Sequence, residues 1–71
     1  MHKFIVKCAK PCFETLGQSK NIREAKDLII SHYEKETGEQ LDGVDRIVCT
    51  VSLMLRHEAE LGKYHYILEQ Q

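Results

Sequence analysis

The sequence predicts a small α+β domain: a four-stranded, mainly antiparallel sheet with one helix packed on one face, in the order β-β-α-β-β. Three observations carry this. The stretch RIVCTVSLMLR, residues 46–56, alternates Ile47, Cys49, Val51, Leu53 and Leu55 with Val48, Thr50, Ser52 and Met54. That is the period of two expected of a strand buried on at least one face. Residues 22–37 place Ile22, Ala25, Leu28, Ile29 and Tyr33 at helical spacing. Residues 3–9 and 63–69 alternate again near the two ends of the chain.

In chain order, residues 3–9 put Phe4, Val6 and Cys8 on one side and Lys3, Ile5 and Lys7 on the other, a first strand. Lys10 and Pro11 end it, because proline lacks the donor a ladder needs. Residues 12–18 read as a short second strand, weakened at Gly17, and complete a hairpin. The helix then has clear punctuation. Asn21 is a good N-cap, Glu24 stands at capping-box spacing, and Gly38 suits the left-handed position after the last turn. Residues 39–45 are polar, contain Gly43, and read as a loop.

The stretch 46–56 admits a second reading, since Val44, Ile47, Val48, Val51 and Leu55 also form a helical stripe. The longer alternation and its β-branched residues favour a strand. Residues 57–62 form a turn or a short helical excursion, and residues 63–69 make the last strand, paired antiparallel with the one at 46–56. The expected core is Phe4, Val6, Ala25, Leu28, Ile29, Tyr33, Ile47, Cys49, Val51, Leu53 and Leu68.

Size and composition bound the function. Seventy-one residues make one domain with one small core, burying only about 60% of the unfolded surface. Ten Lys+Arg against eleven Asp+Glu leave a formal charge of −1. The basic excess that supplies most nucleic-acid affinity is therefore missing, and so is the strong acidity of a DNA mimic. No apolar run reaches the roughly 18–20 residues of a membrane span, and MHKFIVKCAK is a poor signal peptide. A cytoplasmic location follows as the expectation. Three cysteines, an odd number, argue for free thiols, with Cys8 and Cys49 as small core hydrophobes.

No catalytic motif is present. Cys8 and Cys12 stand at C-x3-C spacing, and His2, His57 and His65 could complete a zinc site. That cysteine spacing is wider than the common C-x2-C, and the histidines miss the usual H-x3–5-H, so ordinary thiols and imidazoles are the expected reading. Lys7 and Lys10 lie close to the cysteines, but there is no nucleophile elbow and no C-x-x-C pair. His32 falls on the apolar side of the helix, the place of a hydrogen-bonded histidine at the core edge. A general base there would need a carboxylate partner in a cleft.

One helix covers one sheet face, so the other stays open. On the strand reading the open face carries Lys3, Ile5, Lys7, Arg46, Val48, Thr50, Ser52, His65 and Ile67, opposite Phe4, Val6, Cys49, Val51, Tyr64 and Tyr66. Aliphatic spots rimmed by cations suit a protein partner or a second copy of the chain. A single-stranded nucleic-acid platform would want aromatics on that face.

The strand FIVKC, the segment ETLGQSKNIREAKDLI leading into the helix, and the alternating RIVCTVSL together resemble small proteins encoded by phages and mobile elements. In size and element order they are similar to one compact type I-F anti-CRISPR family. The resemblance covers most of the chain as a pattern and assigns no functional residue. It implies a non-enzymatic inhibitor that binds a host protein complex and blocks its access to nucleic acid.

The expectation is a protein-interaction module, an inhibitor or regulator, that is not an enzyme and has no cofactor, metal or membrane contact. Its partner, another protein or a second copy, would meet Lys3, Ile5, Lys7, Arg46, Val48, Thr50, His65 and Ile67. The alternatives are a nucleic-acid-binding regulator and a zinc-stabilised module.

Overall fold

The structure, a computed structural model, describes residues 3–11 and 13–71. The chain runs β1 (Phe4–Lys10), β2 (Glu14–Ser19), α1 (Ile22–Thr37), α2 (Gly43–Arg56), β3 (Glu58–Leu61) and β4 (Tyr64–Gln70). The four strands form one antiparallel sheet in the order β2-β1-β4-β3. The fold is α+β as the sequence predicts. It has two helices where one is expected, so the order is ββααββ.

α1 keeps the boundaries read from the sequence. The Glu24 N–H donates to Asn21 Oδ1, and Glu24 Oε1 reaches back to accept from the Lys20 N–H. At the other end Gly38 sits at φ 73° and its N–H donates to the Glu34 carbonyl. A residue with a Cβ would be strained in that left-handed conformation.

The stretch 46–56 is not a strand but most of α2. Asp42 caps it, its Oδ1 accepting from the Asp45 N–H at 2.8 Å, and Arg56 stands in the last turn. The turn that follows puts His57 in the left-handed region, its N–H on the Leu53 carbonyl. Arg46 is held to α1 by Glu34 at 3.1 Å, and Thr50 Oγ1 donates to the Arg46 carbonyl four residues back. A strand would leave Asp42 with nothing to cap and Arg46 without this bridge. The turn expected at 57–62 is instead β3, closed onto β4 by the turn at 62–63. β4 therefore pairs with β3 and β1.

The register fixes the two sheet faces. Val6 lies opposite Leu68, Cys8 opposite Tyr66, Ala59 opposite Tyr66 and Leu61 opposite Tyr64. These residues face the helices and, with Phe4, Ala25, Ile29, Cys49 and Leu53, make one core. Both helices thus lie on the same face. Leu28 and Tyr33 pack half-buried against the core, while the expected core residues Ile47 and Val51 are exposed. Between Val6 and Lys7 the β1–β2 register shifts. There Gly17 adopts φ 154°, a conformation that favours glycine, beside Leu28 of α1.

Candidate functional site: the outer ridge of the second helix

α2 is apolar on two sides. Cys49 and Leu53, four residues apart, point inward and are fully buried. On the opposite side Val44, Ile47, Val48, Val51, Met54 and Leu55 are all 46–78% exposed. At 100° per residue these six span an arc of about 120°, a continuous ridge along more than three turns. Single exposed aliphatics are ordinary, but six in one stripe are not. The exposed area of the ridge is on the order of 600 Å², the upper end of the largest apolar patch on a typical monomer. The ridge contains no charged residue.

The strand reading brings Arg46, Val48 and Thr50 onto the open sheet face, and the structure removes them from it. Val48 stands on the α2 ridge, Arg46 bridges to Glu34, and Thr50 bonds its own helix. The physical reason is the change of period: alternating residues share a face in a strand but lie 200° apart on a helix. Lys3, Ile5, Lys7, His65 and Ile67 do lie by register on the face away from the helices.

That face also carries carboxylates. Lys7 pairs with Glu69 at 2.7 Å, and His65 lies between Glu58 and Glu60 at 3.8 Å from each. Ile5, Lys7, His65 and Ile67 are half-buried. The face mixes aliphatic side chains with basic and acidic ones. A shallow groove on it is lined by Lys7, Ala9, Thr15, Ile67 and the exposed ring of Phe13.

The cysteine and histidine candidates are dispersed. Cys8 is buried on the helix side of β1, its thiol donating to the Lys10 carbonyl. The His57 ring meets the Phe4 ring edge-on at 5.4 Å, and His65 lies on the other face of the sheet. Cys12 and His2 lie outside the described residues. Among the described residues no three His, Cys, Asp or Glu side chains are grouped to hold a metal ion. Burial pushes the Cys49 thiol up, the Lys26 ammonium pulling weakly the other way. Cys49 therefore stays protonated and unreactive at neutral pH.

His32 has the carboxylate partner that a base would need. Its Nε2–H donates to Glu14 Oε1 at 2.7 Å, and in the neutral ring Nδ1 accepts from the Tyr66 hydroxyl at 2.9 Å. The rings of Tyr64 and Tyr66 meet it edge-on. Tyr66 is fully buried, so this Glu14–His32–Tyr66 chain ends inside the core. It ties α1 to both β2 and β4.

The sequence reading missed the ridge as a surface. Its signal was present in the helical stripe at 44, 47, 48, 51 and 55 and in the capping pair Asp42 and Asp45. No helix of the described chain is long and apolar enough to cross a membrane. Comparison with protein-family models, with curated proteins and with solved structures finds no match.

Proposed function

We propose that the protein is a non-enzymatic protein-interaction module and that its contact surface is the outer ridge of α2. The observation that carries this is the ridge itself, six large apolar side chains exposed in one helical stripe. Leaving them in water is unfavourable by about 25 cal/mol for each Å² that a partner could cover. A partner would read them as anchors at helical spacing, the helix-face mode of recognition.

The open sheet face is the weaker surface, because Lys7 is already paired with Glu69 and the carboxylates of Glu58 and Glu60 flank His65. The same carboxylates, and Tyr66 turned into the core, count against nucleic acid stacking on the sheet. In biological terms the reading is a cytoplasmic inhibitor or regulator of a host protein complex. The anti-CRISPR resemblance supports this through size and through element order outside residues 43–56.

The test is a tagged capture from host lysate, nuclease-treated, with the wild type, Val48→Glu and Lys7→Glu in parallel. The reading expects a stoichiometric protein retained by Lys7→Glu and lost by Val48→Glu. Loss with Lys7→Glu alone would move the contact to the sheet, and loss on nuclease treatment would favour a nucleic-acid partner.

A further inference from the structure

We infer that the occupant of the α2 ridge is a second copy of the same helix, packed antiparallel across a two-fold axis. This rests on the reading of the ridge as an interaction surface and adds what covers it in the free protein, a copy that a host partner would displace.

Two features of α2 carry the inference, and the helix dipoles give it a direction. The first is area. Two ridges covering one another bury about 1,200 Å² in total, the lower bound of a specific interface. The second is spacing. Val44, Ile47, Val51 and Met54 follow a 3-4-3 pattern, the seam of a two-helix coiled coil. That pattern reads the same in both directions, so a two-fold axis near residue 49 sets Val44 against the copy's Met54 and Ile47 against the copy's Val51. A self-complementary patch of this kind is what an isologous dimer requires.

The helix dipoles set the direction, since they oppose one another favourably only in the antiparallel pair. Asp45 and Arg56 lie well away from the seam around the helix, so the contact buries neither charge. With Cys49 buried beneath α2, the association needs no disulfide.

The test is sedimentation velocity over a dilution series of the whole chain under reducing conditions. The wild type is compared with Val48→Glu on the ridge and Lys7→Glu on the sheet face. Val48 faces solvent in the single chain, so Val48→Glu should keep the wild-type circular dichroism spectrum. It should raise the dissociation constant at least about a hundredfold, because it sets a carboxylate from each copy beside the apolar seam and close to the other across the two-fold axis. Lys7→Glu, on the sheet face away from the helices, should leave the dissociation constant within about twofold.

A wild type monomeric at every concentration overturns the inference. So does a dimer untouched by Val48→Glu, or one that Lys7→Glu weakens as much. The interaction reading fails separately. A monomeric wild type whose Val48→Glu variant loses a captured protein leaves that reading standing, whereas one whose Val48→Glu variant keeps its capture removes both.

Discussion

The two helices of this protein do opposite things with their apolar residues. α1 spends its apolar face on the core: Ala25, Ile29 and Ile30 are buried, Leu28 and Tyr33 pack beside them, and its charged residues lie outward. α2 is the more apolar helix, yet it commits only Cys49 and Leu53 to the core and holds six other apolar side chains away from it. The burial of Cys49 and Leu53 and the Glu34–Arg46 bridge set its orientation, so rolling the ridge inward would expose the first two and break the third. An amphipathic pattern says that a helix has a face to bury. It does not say that its own domain is what buries it.

The contrast breaks most sharply under truncation. Ile29→Ala and Leu53→Ala each remove a fully buried side chain and should cost about 2–5 kcal/mol in urea unfolding of the monomer. That is a large part of what so small a domain has. Leu55→Ala, on the same helix as Leu53, should change monomer stability by less than about 0.5 kcal/mol. Equal costs at Leu53 and Leu55 would mean that the ridge is part of the core after all.

The ties that hold α1 to the sheet come next. Tyr66→Phe leaves His32 Nδ1 without the hydroxyl it now meets at 2.9 Å. Thermal unfolding should register about 1–3 kcal/mol for the stranded group. Phenylalanine fills the same space, so a melt indistinguishable from wild type would show that the hydrogen bond contributes nothing.

Capping sharpens the comparison further, because both helices use the same device. Asn21→Ala and Asp42→Ala each remove a side-chain acceptor from the first turn and should cost about 1 kcal/mol each. A negligible effect at Asp42 would indicate that α2 begins elsewhere.

The smallest expected effect is a pH slope. The folded chain holds the Cys49 thiol above its ordinary value, chiefly by burial. As pH rises past that ordinary value the unfolded thiol ionises first, and the native state binds more protons. Stability from this group is therefore complete at neutral pH and is lost progressively in the alkaline range. Urea midpoints at alkaline pH should fall for the wild type and flatten for Cys49→Ala.

These differences also explain what the sequence made legible. α1 could be placed to the residue because Asn21, Glu24 and Gly38 mark its ends and only one period fits between them. β1, β2 and β4 lie within one or two residues of their expected bounds, and Cys8 and Cys49 are buried as expected. Residues 46–56 satisfied two periods at once, and Ile47, Val48, Thr50 and Val51 tilted the choice toward a strand. The deciding signal lay outside the stretch, in Asp42 and Asp45.

β3 was missed for a related reason. Its EAEL sequence is four residues long and low in strand propensity, and it exists because β4 offers it a ladder. On the sheet, the pairing of Ile5, Lys7, His65 and Ile67 to one face needed only alternation and was read correctly. The site was legible as a list of residues but not as a surface, because the facing of α2 is set by tertiary contacts.

The most direct test of the ridge as an interface is methyl NMR with a soluble paramagnetic agent, followed on dilution. Val44, Ile47, Val48, Val51 and Leu55 are expected to be shielded at high protein concentration and to become accessible as the sample is diluted, while Leu53 stays shielded throughout. Ridge methyls shielded at every concentration would place them in the core of the single chain. Ridge methyls accessible at every concentration would show that nothing of this chain covers them.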